Sequence, residues 1–462
     1  MNYWNIQLHP NDLGWSREKE LLEKHGVIGL GDWEEAAQQQ PNFENTMQKG
    51  DIVLVKHGAT IIALVEVIGD YEYNTQTDDL LWFERRRRVK VLDWYNEMYG
   101  YFVSSRKTLE RSVNPNTNTY ISIKQWIQRI NNKKNMETII NLVKKNFNLI
   151  LTGAPGTGKT YLAKQIAVQM ILGKAYDEET ASEEEKAKMK EQYDFVQFHP
   201  SFDYTDFMEG LRPIDNNGNI SFRREDGIFM KFCRKALDAY NKAEKKDEAP
   251  KYVFVIDEIN RGDLSKIFGE LFFSIDPGYR GEKGKVKTQY SNLWKDERFG
   301  DSDSFYIPEN VYIIGTMNDI DRSVESMDFA MRRRFAFKEV QAEDRMEMIE
   351  ESAKLSPFYT EIKERMTNLN LAILTIQGLS TAYQIGAAYF LKLENYLTSD
   401  EKLEADSWKS LWDNHLFGLL FEYLRGLPNA EEDLDTLYRA YTLEDKYRME
   451  NKKAIKIPSQ NA

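Results

Sequence analysis

Apolar runs of strand length recur along the middle of the chain and alternate there with stretches of helical periodicity. The four clearest runs are "FNLILTG", "YDFVQFHP", "KYVFVIDE" and "NVYIIGTMN". Strands that are largely apolar are typical of a parallel sheet that helices cover on both faces. The pattern therefore predicts an α/β domain with a parallel sheet at residues 146–340.

The pattern changes on both sides of this region. Residues 1–125 contain short β-like runs, "GDIVLVKHG" and "ATIIALVEVIG", in a Trp- and Tyr-rich setting, which predicts a small α+β domain. A polar stretch leads into residues 126–145, which we interpret as a linker helix. At residues 341–462 the strand pattern stops, and amphipathic stretches such as "SLWDNHLFGLLFEYL" predict a helical domain.

Composition narrows the class of protein. The 462 residues carry a formal net charge of −12, so any contact with nucleic acid must come from a local basic patch. Cys233 is the single cysteine, which excludes a disulfide within the chain and favours a reducing compartment. No apolar run approaches the roughly 20 residues of a membrane span, and the first residues lack the features of a signal peptide. We therefore expect a cytoplasmic protein without membrane contact.

A glycine-rich motif follows the first strand of the α/β region. The segment "GAPGTGKT" has the form GxxxxGK[ST], with a strand before it and a helical pattern after it. Glycines let backbone N–H groups turn around phosphate oxygens, and the helix N-terminus adds its positive dipole end. A chance glycine-rich turn is the alternative, and the strand and helix around the motif argue against it. The predicted cofactor-binding residues are Gly153, Ala154, Pro155, Gly156, Thr157, Gly158, Lys159, Thr160 and Tyr161.

Two neighbouring carboxylates end the third apolar run. Asp257 and Glu258 stand where a strand of a doubly wound sheet meets its ligand. Lys159 would reach the β- and γ-phosphates, whereas Thr160 and Asp257 would hold Mg²⁺. Glu258 would orient and polarise the attacking water. An acidic helix cap is the alternative reading of such residues, and it stays open for Asp263, which precedes "LSKIFGELFFSI".

The fourth run ends in an amide, and consecutive arginines follow it. If its strand lies beside the other two motif strands, Asn318 at the tip would face the γ-phosphate and the attacking water. The arginines at residues 332–334 suit phosphoryl transfer, because an arginine from a neighbouring subunit can raise the rate by ~10³–10⁵. A solvated basic cluster is the alternative, but apolar Met331 and Phe335 flank the arginines closely.

Several longer segments resemble the motor subunits of McrBC-type modification-dependent restriction systems. These segments are "GTMNDIDRS", "IDEINRGDLSKIFGEL", "FVQFHPSFDYTDFMEG" and "RREDGIFMKFC", and the resemblance extends over residues 146–427. McrB-like subunits are AAA+ GTPases, so the resemblance implies an AAA+ P-loop NTPase fold whose C-terminal helical domain is a lid. It also implies a homo-oligomeric ring, expected to be a hexamer. A separate McrC-like nuclease would cleave DNA, since this chain shows no convincing nuclease motif.

The resemblance also implies roles for residues of the site. The family signature Met-Asn-x-x-Asp-Arg corresponds to residues 317–322. Its asparagine and its aspartate help position catalytic water, which implies that role for Asn318 and Asp321. The predicted catalytic residues are Glu258, Asn318, Asp321, Arg261, Arg333 and Arg334.

The arginines are expected to act in different ways. The resemblance implies that Arg261 and Arg333 act across subunit boundaries. It makes Arg334 the candidate for a contact within its own subunit or with the lid. In the lid segment "YQIGAAYFLKL", this chain has Ala387 where the family commonly carries histidine, so a lid contact is expected to differ.

The chemistry of the loop leaves the nucleotide base open. A phosphate loop reads phosphates, and the chain contains no Asn/Thr-Lys-x-Asp guanine motif. ATP is therefore the default from the residues alone, whereas the resemblance implies GTP. We expect GTP with Mg²⁺, and ATP stays the alternative.

The N-terminal region resembles an EVE-like domain of the PUA/YTH superfamily. The segments "MNYWNIQLHP", "HGVIGLGDW", "GDIVLVKHG" and "IIALVEVIGDYEY" follow one another in the order of such domains, which hold a flipped, often modified base in an aromatic pocket. A core position is the alternative for each tryptophan, and a solvated strand face is the alternative for the arginine run at residues 85–88. The predicted residues for DNA or base binding are Trp15, Trp33, His57, Trp82 and Arg86.

Together these features predict a nucleotide-driven motor that recognises DNA carrying modified bases. GTP hydrolysis would drive translocation on DNA and activate the separate nuclease. One alternative is an ATP-dependent AAA+ remodeller whose N-terminal domain binds RNA or protein, since a fold does not determine its ligand. A further alternative is an N-terminal domain that serves only in assembly or docking.

Overall fold

The computed structural model divides the chain into two compact units, Met1–Thr138 and Ile139–Ala462. The residues that it describes are 1–8, 15–31, 39–103, 107–115, 117–174, 176–216, 219–294, 299, 304–320, 327 and 329–457. Within these ranges, no helix combines the length and the apolar character that crossing a membrane requires.

The N-terminal unit is built around a six-stranded mixed sheet. Its strands are β1 (Tyr3–Gln7), β2 (Val27–Leu30), β3 (Ile52–His57), β4 (Thr60–Tyr73), β5 (Arg85–Trp94) and β6 (Leu109–Ser112). The order is β2-β5-β4-β3-β1-β6, and β1 runs parallel to β3 while the other neighbours are antiparallel. The accompanying helices are α1 (Glu18–His25) and α2 (Asn118–Asn146), and the last residues of α2 belong to the second unit.

Both faces of this sheet are buried. Trp4 and Val53 belong to the core on one face, whereas Leu54 packs with Trp126 of α2 on the other. Burial on both sides explains why the sequence of β3 is nearly apolar throughout rather than alternating. The indole N–H of Trp126 donates to Asp93 Oδ2 at 2.8 Å, which fixes the first part of α2 against the sheet.

The second unit contains the parallel sheet that the apolar runs predict. The strands in the first part of this unit are β7 (Asn148–Thr152), β8 (Tyr193–Gln197), β9 (Glu209–Asn216), β10 (Asn219–Asp226), β11 (Tyr252–Asp257), β12 (Val311–Thr316) and β13 (Ala336–Glu339). The helices of this region are α3 (Lys159–Leu172), α4 (Glu183–Gln192), α5 (Tyr204–Phe207), α6 (Ile228–Lys242), α7 (Leu264–Phe268), α8 (Leu271–Ser274) and α9 (Phe329–Arg332). β9 and β10 form a hairpin, and the others form a parallel sheet in the order β13-β7-β12-β11-β8. The predicted α/β fold class is confirmed.

Strand register brings the carboxyl ends of the three motif strands, β7, β11 and β12, to the same end of the sheet. β12 lies between β7 and β11, with Thr316 opposite Leu151 and Gly315 opposite Ile256. Because these strands are parallel, the segments that follow them meet at the same edge. The prediction that the strand before Asn318 lies beside the other two motif strands is confirmed.

Aromatic side chains form the core beneath β11. The rings of Phe207 and Phe229 stack with their centroids 4.7 Å apart, and Phe254 of β11 meets both edge-on. All three side chains are fully buried. Burying each one contributes about 2 kcal/mol, so β11 and the Asp257 at its end are firmly held in the sheet.

Helices dominate the rest of the second unit. They are α10 (Glu347–Glu351), α11 (Tyr359–Ile373), α12 (Ala387–Leu391), α13 (Ala405–Leu411), α14 (Phe417–Leu424) and α15 (Ala430–Tyr441). A short antiparallel hairpin, β14 (Tyr447–Glu450) and β15 (Lys453–Lys456), corrects the prediction that strands stop at residue 341. Its residues are mostly exposed, so they lack the apolar pattern by which a strand is recognised in sequence.

Candidate active site

The glycine-rich motif forms a loop between β7 and α3. Gly156 and Gly158 adopt left-handed φ angles of 74° and 77°, which residues with a Cβ rarely adopt. At Gly153 a Cβ would lie 2.2 Å from the carbonyl oxygen of Val340, so the loop accepts only glycine there. This backbone can approach a bound group closely, which fits the cradle that nucleotide phosphates require.

Lys159, the first residue of α3, points into the loop. Its Nζ donates to the carbonyl oxygens of Gly153 at 2.9 Å and Ala154 at 2.8 Å. Burial lowers the pKa of Lys159 to about 8, and nearby carboxylates, foremost that of Glu258, oppose the decrease. The amine is thus held beside the loop by hydrogen bonds that it can exchange for bonds to phosphate oxygens.

Hydroxyl and carboxylate oxygens gather beside this lysine. Thr160 Oγ1 donates to Asp257 Oδ1 at 2.7 Å, and Thr316 Oγ1 donates to the same oxygen at 2.6 Å. Mg²⁺ prefers oxygen ligands and is usually bound through one or two carboxylates together with phosphates and water. Among the described residues, no group of three or more His, Cys, Asp or Glu side chains could hold a metal ion. The hydroxyl of Thr160 and the carboxylate of Asp257 are oxygen ligands of the kind that suits a Mg²⁺ shared with phosphate oxygens.

Glu258 and Asn318 meet at the tips of their strands. Asn318 Nδ2 donates to Glu258 Oε1 at 2.6 Å, and burial raises the pKa of Glu258. Glu258 has a left-handed φ of 50°, a conformation that costs a non-glycine residue on the order of 1 kcal/mol. Its N–H donates to Thr316 Oγ1 at 3.2 Å, so Thr316 supports both acids, a role that the motif analysis missed. Asp321 lies outside the described residues.

Two of the predicted catalytic arginines, Arg261 and Arg333, are exposed. Arg261 Nε lies 3.4 Å from Glu258 Oε2, and its side chain is 44% exposed. Arg333 follows α9 directly and is exposed to solvent. Both side chains present surface that a neighbouring molecule could reach.

Arg334 is buried and contacts residues of its own subunit. Its guanidinium is buried over the ring of Phe272, at 5.3 Å, and donates to the carbonyl oxygen of Ala330. Its own carbonyl accepts a hydrogen bond from Asn148 Nδ2 at 2.8 Å, at the amino end of β7. The loop follows the carboxyl end of β7, about 16 Å further along the strand. The expected contact of Arg334 within its own subunit is thus made with Phe272 and Ala330, and a catalytic role for Arg334 stays a prediction.

Asp319 lies at the loop, in a place that the sequence motifs do not predict. The N–H of Gly153 donates to its carboxylate, and the charges of Lys159 and Arg332 act on it. Desolvation by the surrounding protein raises the pKa of Asp319, and the two cations oppose the increase. Its place directly after Asn318 is the signal that could have revealed it.

Tyr161, in the first turn of α3, contacts the lid. It is 47% exposed, and the Arg345 guanidinium lies 5.4 Å from the centre of its ring. Arg345 also donates to Gln165 of α3 at 2.9 Å. Tyr161 thus takes part in the contact between α3 and the lid.

The lid also contacts the loop itself. The N–H of Gly386 donates to the carbonyl oxygen of Pro155, and the N–H of Ala388 donates to that of Gly156. Ala387, at the position where the family commonly carries histidine, is fully buried. In this chain the contact is therefore made by backbone groups on both sides of Ala387.

In the N-terminal unit, the structure brings two of the predicted base-binding residues together. The rings of Trp15 and Trp82 meet edge-on with their centroids 6.4 Å apart. His57 Nδ1 lies 2.5 Å from Oε1 of the buried Glu18. Trp33 lies outside the described residues. A base pocket at these residues stays a prediction.

The arginine run of β5 is largely turned inward. Arg86 is 7% exposed, and its Nε donates to the carbonyl oxygen of Phe83 at 2.9 Å. Arg87 is also buried and donates to the carbonyl oxygen of Phe43 at 2.7 Å. These bonds tie β5 to neighbouring loops, so the position of Arg86 does not fit the predicted phosphate contact. Arg88 is exposed.

One of two family matches covers the part of the chain that contains the glycine-rich loop. Residues 148–335 match the family described as AAA domain (dynein-related subfamily). Residues 11–112 match a domain of unknown function, DUF8426. The EVE-like interpretation of the N-terminal region therefore stays a prediction.

Two similar proteins are components of restriction systems. The type IV methyl-directed restriction enzyme EcoKMcrB subunit of Escherichia coli is 38% identical over 263 residues, which cover 55% of this chain and 50% of that protein. The type II restriction enzyme BsuMI component YdiS of Bacillus subtilis is 26% identical over 233 residues, which cover 46% of this chain and 62% of that protein. The chain thus spans less than two thirds of either relative. The phosphate loop, the acidic strand tip and the family match show that residues 148–335 form an AAA+ P-loop NTPase domain, and over about half of its length the chain is similar to an McrB subunit.

Proposed function

We propose that this chain is the motor and DNA-recognition subunit of a modification-dependent restriction system, and that it hydrolyses GTP. The observation that carries the proposal is the hydrogen-bonded pair of Glu258 and Asn318 beside the phosphate loop. A carboxylate oriented by an amide suits the activation of a water that attacks the γ-phosphate. Similarity to the EcoKMcrB subunit, described as methyl-directed, supports DNA carrying modified bases as the ligand. The resemblance of the sequence motifs to McrB-like GTPases supports GTP.

Each side chain of the site has a task in this proposal. N–H groups of the loop bind the phosphates, and Lys159 exchanges its carbonyl partners for phosphate oxygens. Thr160 and Asp257 hold Mg²⁺, which neutralises phosphate charge when it is bound. Glu258 accepts a proton from the attacking water while Asn318 keeps that water in line.

A ring of copies, a hexamer by resemblance, would complete the site. The exposure of Arg261 and Arg333 supports a role for both at subunit boundaries. An arginine placed there stabilises the charge that gathers on the transferred phosphoryl group. A separate McrC-like nuclease would use the motor to cleave DNA.

Phosphate release tests the proposal. We expect the purified chain to release phosphate faster from GTP than from ATP, and to stop when EDTA removes Mg²⁺. The reason is that the loop and Asp257 need the metal to neutralise the phosphates. A clear preference for ATP would instead favour the AAA+ remodeller.

Binding titrations on the same preparation separate the possible ligands of the N-terminal unit. The probes are duplex DNA with methylated cytosines, the same duplex unmodified, and single-stranded RNA of the same sequence. Tighter binding of the modified duplex supports the proposal. Equal affinity for all three would rule out recognition of a modified base.

Replacing Asn318 with alanine separates binding from chemistry. The Asn318→Ala variant is expected to bind GTP nearly as the wild type does and to lose roughly 10-fold or more in kcat, because the amide acts on water and not on bound phosphate. Equilibrium binding of a fluorescent GTP analogue and steady-state phosphate release measure the two effects. Lost binding with an unchanged kcat would contradict this assignment.

A further inference from the structure

The lid supplies two of the hydrogen bonds that hold the phosphate loop. The N–H of Gly386 donates to the carbonyl oxygen of Pro155 at 3.0 Å. The N–H of Ala388 donates to that of Gly156, also at 3.0 Å. In a trans peptide the C=O and the following N–H point in opposite directions. Holding these two carbonyls therefore also sets the directions of the N–H groups of Gly156 and Thr157.

Glycines on both sides make this contact possible. A Cβ at Gly386 would lie 2.3 Å from the carbonyl carbon of Gly156, and a Cβ at Gly156 would lie 2.5 Å from the ring of Tyr389. The lid segment, residues 385–389, thus lies directly on the loop backbone. Gly386 has a φ of −84°, which any residue can adopt, so only the contact with the loop excludes a larger side chain.

The lid segment is fixed by a helix behind it. Asn370 of α11 is buried, and its side chain donates to the carbonyl oxygen of Ile385 at 2.9 Å. The same side chain accepts from the N–H of Ile385 at 2.7 Å. An amide that pairs with both backbone groups of one residue determines its orientation. The lid segment therefore keeps its place relative to the lid helices.

The preceding carbonyls of the loop depend on Lys159 instead. Its amine is hydrogen bonded to those of Gly153 and Ala154, and it gives up these bonds when it turns to a phosphate. The bonds from the lid involve the carbonyls of Pro155 and Gly156, so that exchange does not by itself break them. We propose that the lid segment sets the phosphate-binding conformation of the loop, with Gly386 as a positioning residue, so that nucleotide affinity depends on a docked lid. This inference rests on the proposed nucleotide hydrolysis at the same site.

The Gly386→Ala variant tests the inference. Its methyl group would meet backbone atoms of Gly156, which cannot move aside as a flexible side chain can. We expect fluorescent GDP and GTP analogues to bind roughly 10-fold more weakly and KM to rise in parallel, while kcat at saturating GTP changes by less than about 3-fold. We expect KM to change more than kcat because Glu258 and Asn318, which act on the water, follow strands of the sheet and do not belong to the lid.

Gly418→Ala is the matched control. Gly418 lies in α14 of the same lid, and a Cβ there would meet no atom within 4 Å. This variant is expected to bind and hydrolyse GTP as the wild type does. If Gly386→Ala binds within about two-fold of the wild type, the lid inference is overturned and the proposed function stands. If the wild type itself binds no nucleotide, both are overturned.

Tyr389→Ala provides a second variant that adds no atom to the contact. Its ring lies against Gly156, so its removal loosens the lid while both backbone hydrogen bonds can still form. We expect KM to rise about 3-fold or more, with kcat nearly unchanged. A lower kcat at an unchanged KM would show only that less of the protein is folded, and it would count against the inference. Tyr389→Ala therefore still tests the inference if Gly386→Ala does not fold.

Discussion

Glu258→Gln is expected to lower kcat for GTP hydrolysis at least ~100-fold, because a positioned general base contributes about 10²–10⁴ in rate. The amide keeps the size of the side chain and can still accept from Asn318 Nδ2, which donates to Glu258 at 2.6 Å. It cannot accept a proton from water. Affinity for a fluorescent GTP analogue should therefore stay within a few-fold of the wild-type value. Single-turnover phosphate release measures the rate separately from binding.

The matched control for this variant is Asp263→Asn. Asp263 is five residues away, and its carboxylate accepts from the N–H of Lys266 at 3.2 Å as the cap of α7. Asparagine caps helices about as well as aspartate, so kcat should not change. A kcat for Glu258→Gln within about 3-fold of the wild type would show that another group takes the proton.

Lys159→Ala is expected to weaken nucleotide binding ~100-fold or more. A hydrogen bond to a charged group contributes about 1.5–3 kcal/mol, and each 1.4 kcal/mol is tenfold in affinity. The amine is also the buried cation beside Glu258 and Asp257, so its loss leaves these carboxylates to repel the phosphates. Titration with fluorescent GDP and GTP analogues measures the loss.

Lys164→Ala serves as its control. Lys164 lies on the same helix, α3, but is exposed to solvent. Lys164→Ala removes the same charge from the same helix as Lys159→Ala does. A general electrostatic effect would therefore weaken nucleotide binding in both variants. Nearly normal binding by Lys159→Ala would mean that nucleotide is bound elsewhere than at the glycine-rich loop.

The parallel sheet could be predicted because its strands carry their own signal. β7, β11 and β12 are buried, so each appears in the sequence as a nearly uninterrupted apolar run. The hairpin of β14 and β15 has no such signal, since most of its residues face solvent. Buried strands could thus be predicted from the sequence, whereas exposed strands could not.

The arginines show where the sequence ceased to be informative. Arg86 and Arg87 form a charged run, and runs of this kind are usually solvated. They are buried because backbone carbonyls accept from their guanidinium groups, that of nearby Phe83 for Arg86 and that of Phe43, distant in sequence, for Arg87. Arg333 and Arg334 are adjacent, yet one is exposed and the other stacks on Phe272. Charge alone cannot distinguish these environments.

By itself, the sequence determined the phosphate loop, the acidic strand tip and the amide of Asn318. The physical reason is that each depends on a short stretch in which the strand and the functional residue are neighbours along the chain. Only the tertiary structure decided that Asp319 reaches the N–H of Gly153 and that Gly386 reaches the loop. Those contacts join parts of the chain that lie far apart in sequence, and they are set by strand register and by the packing of the lid.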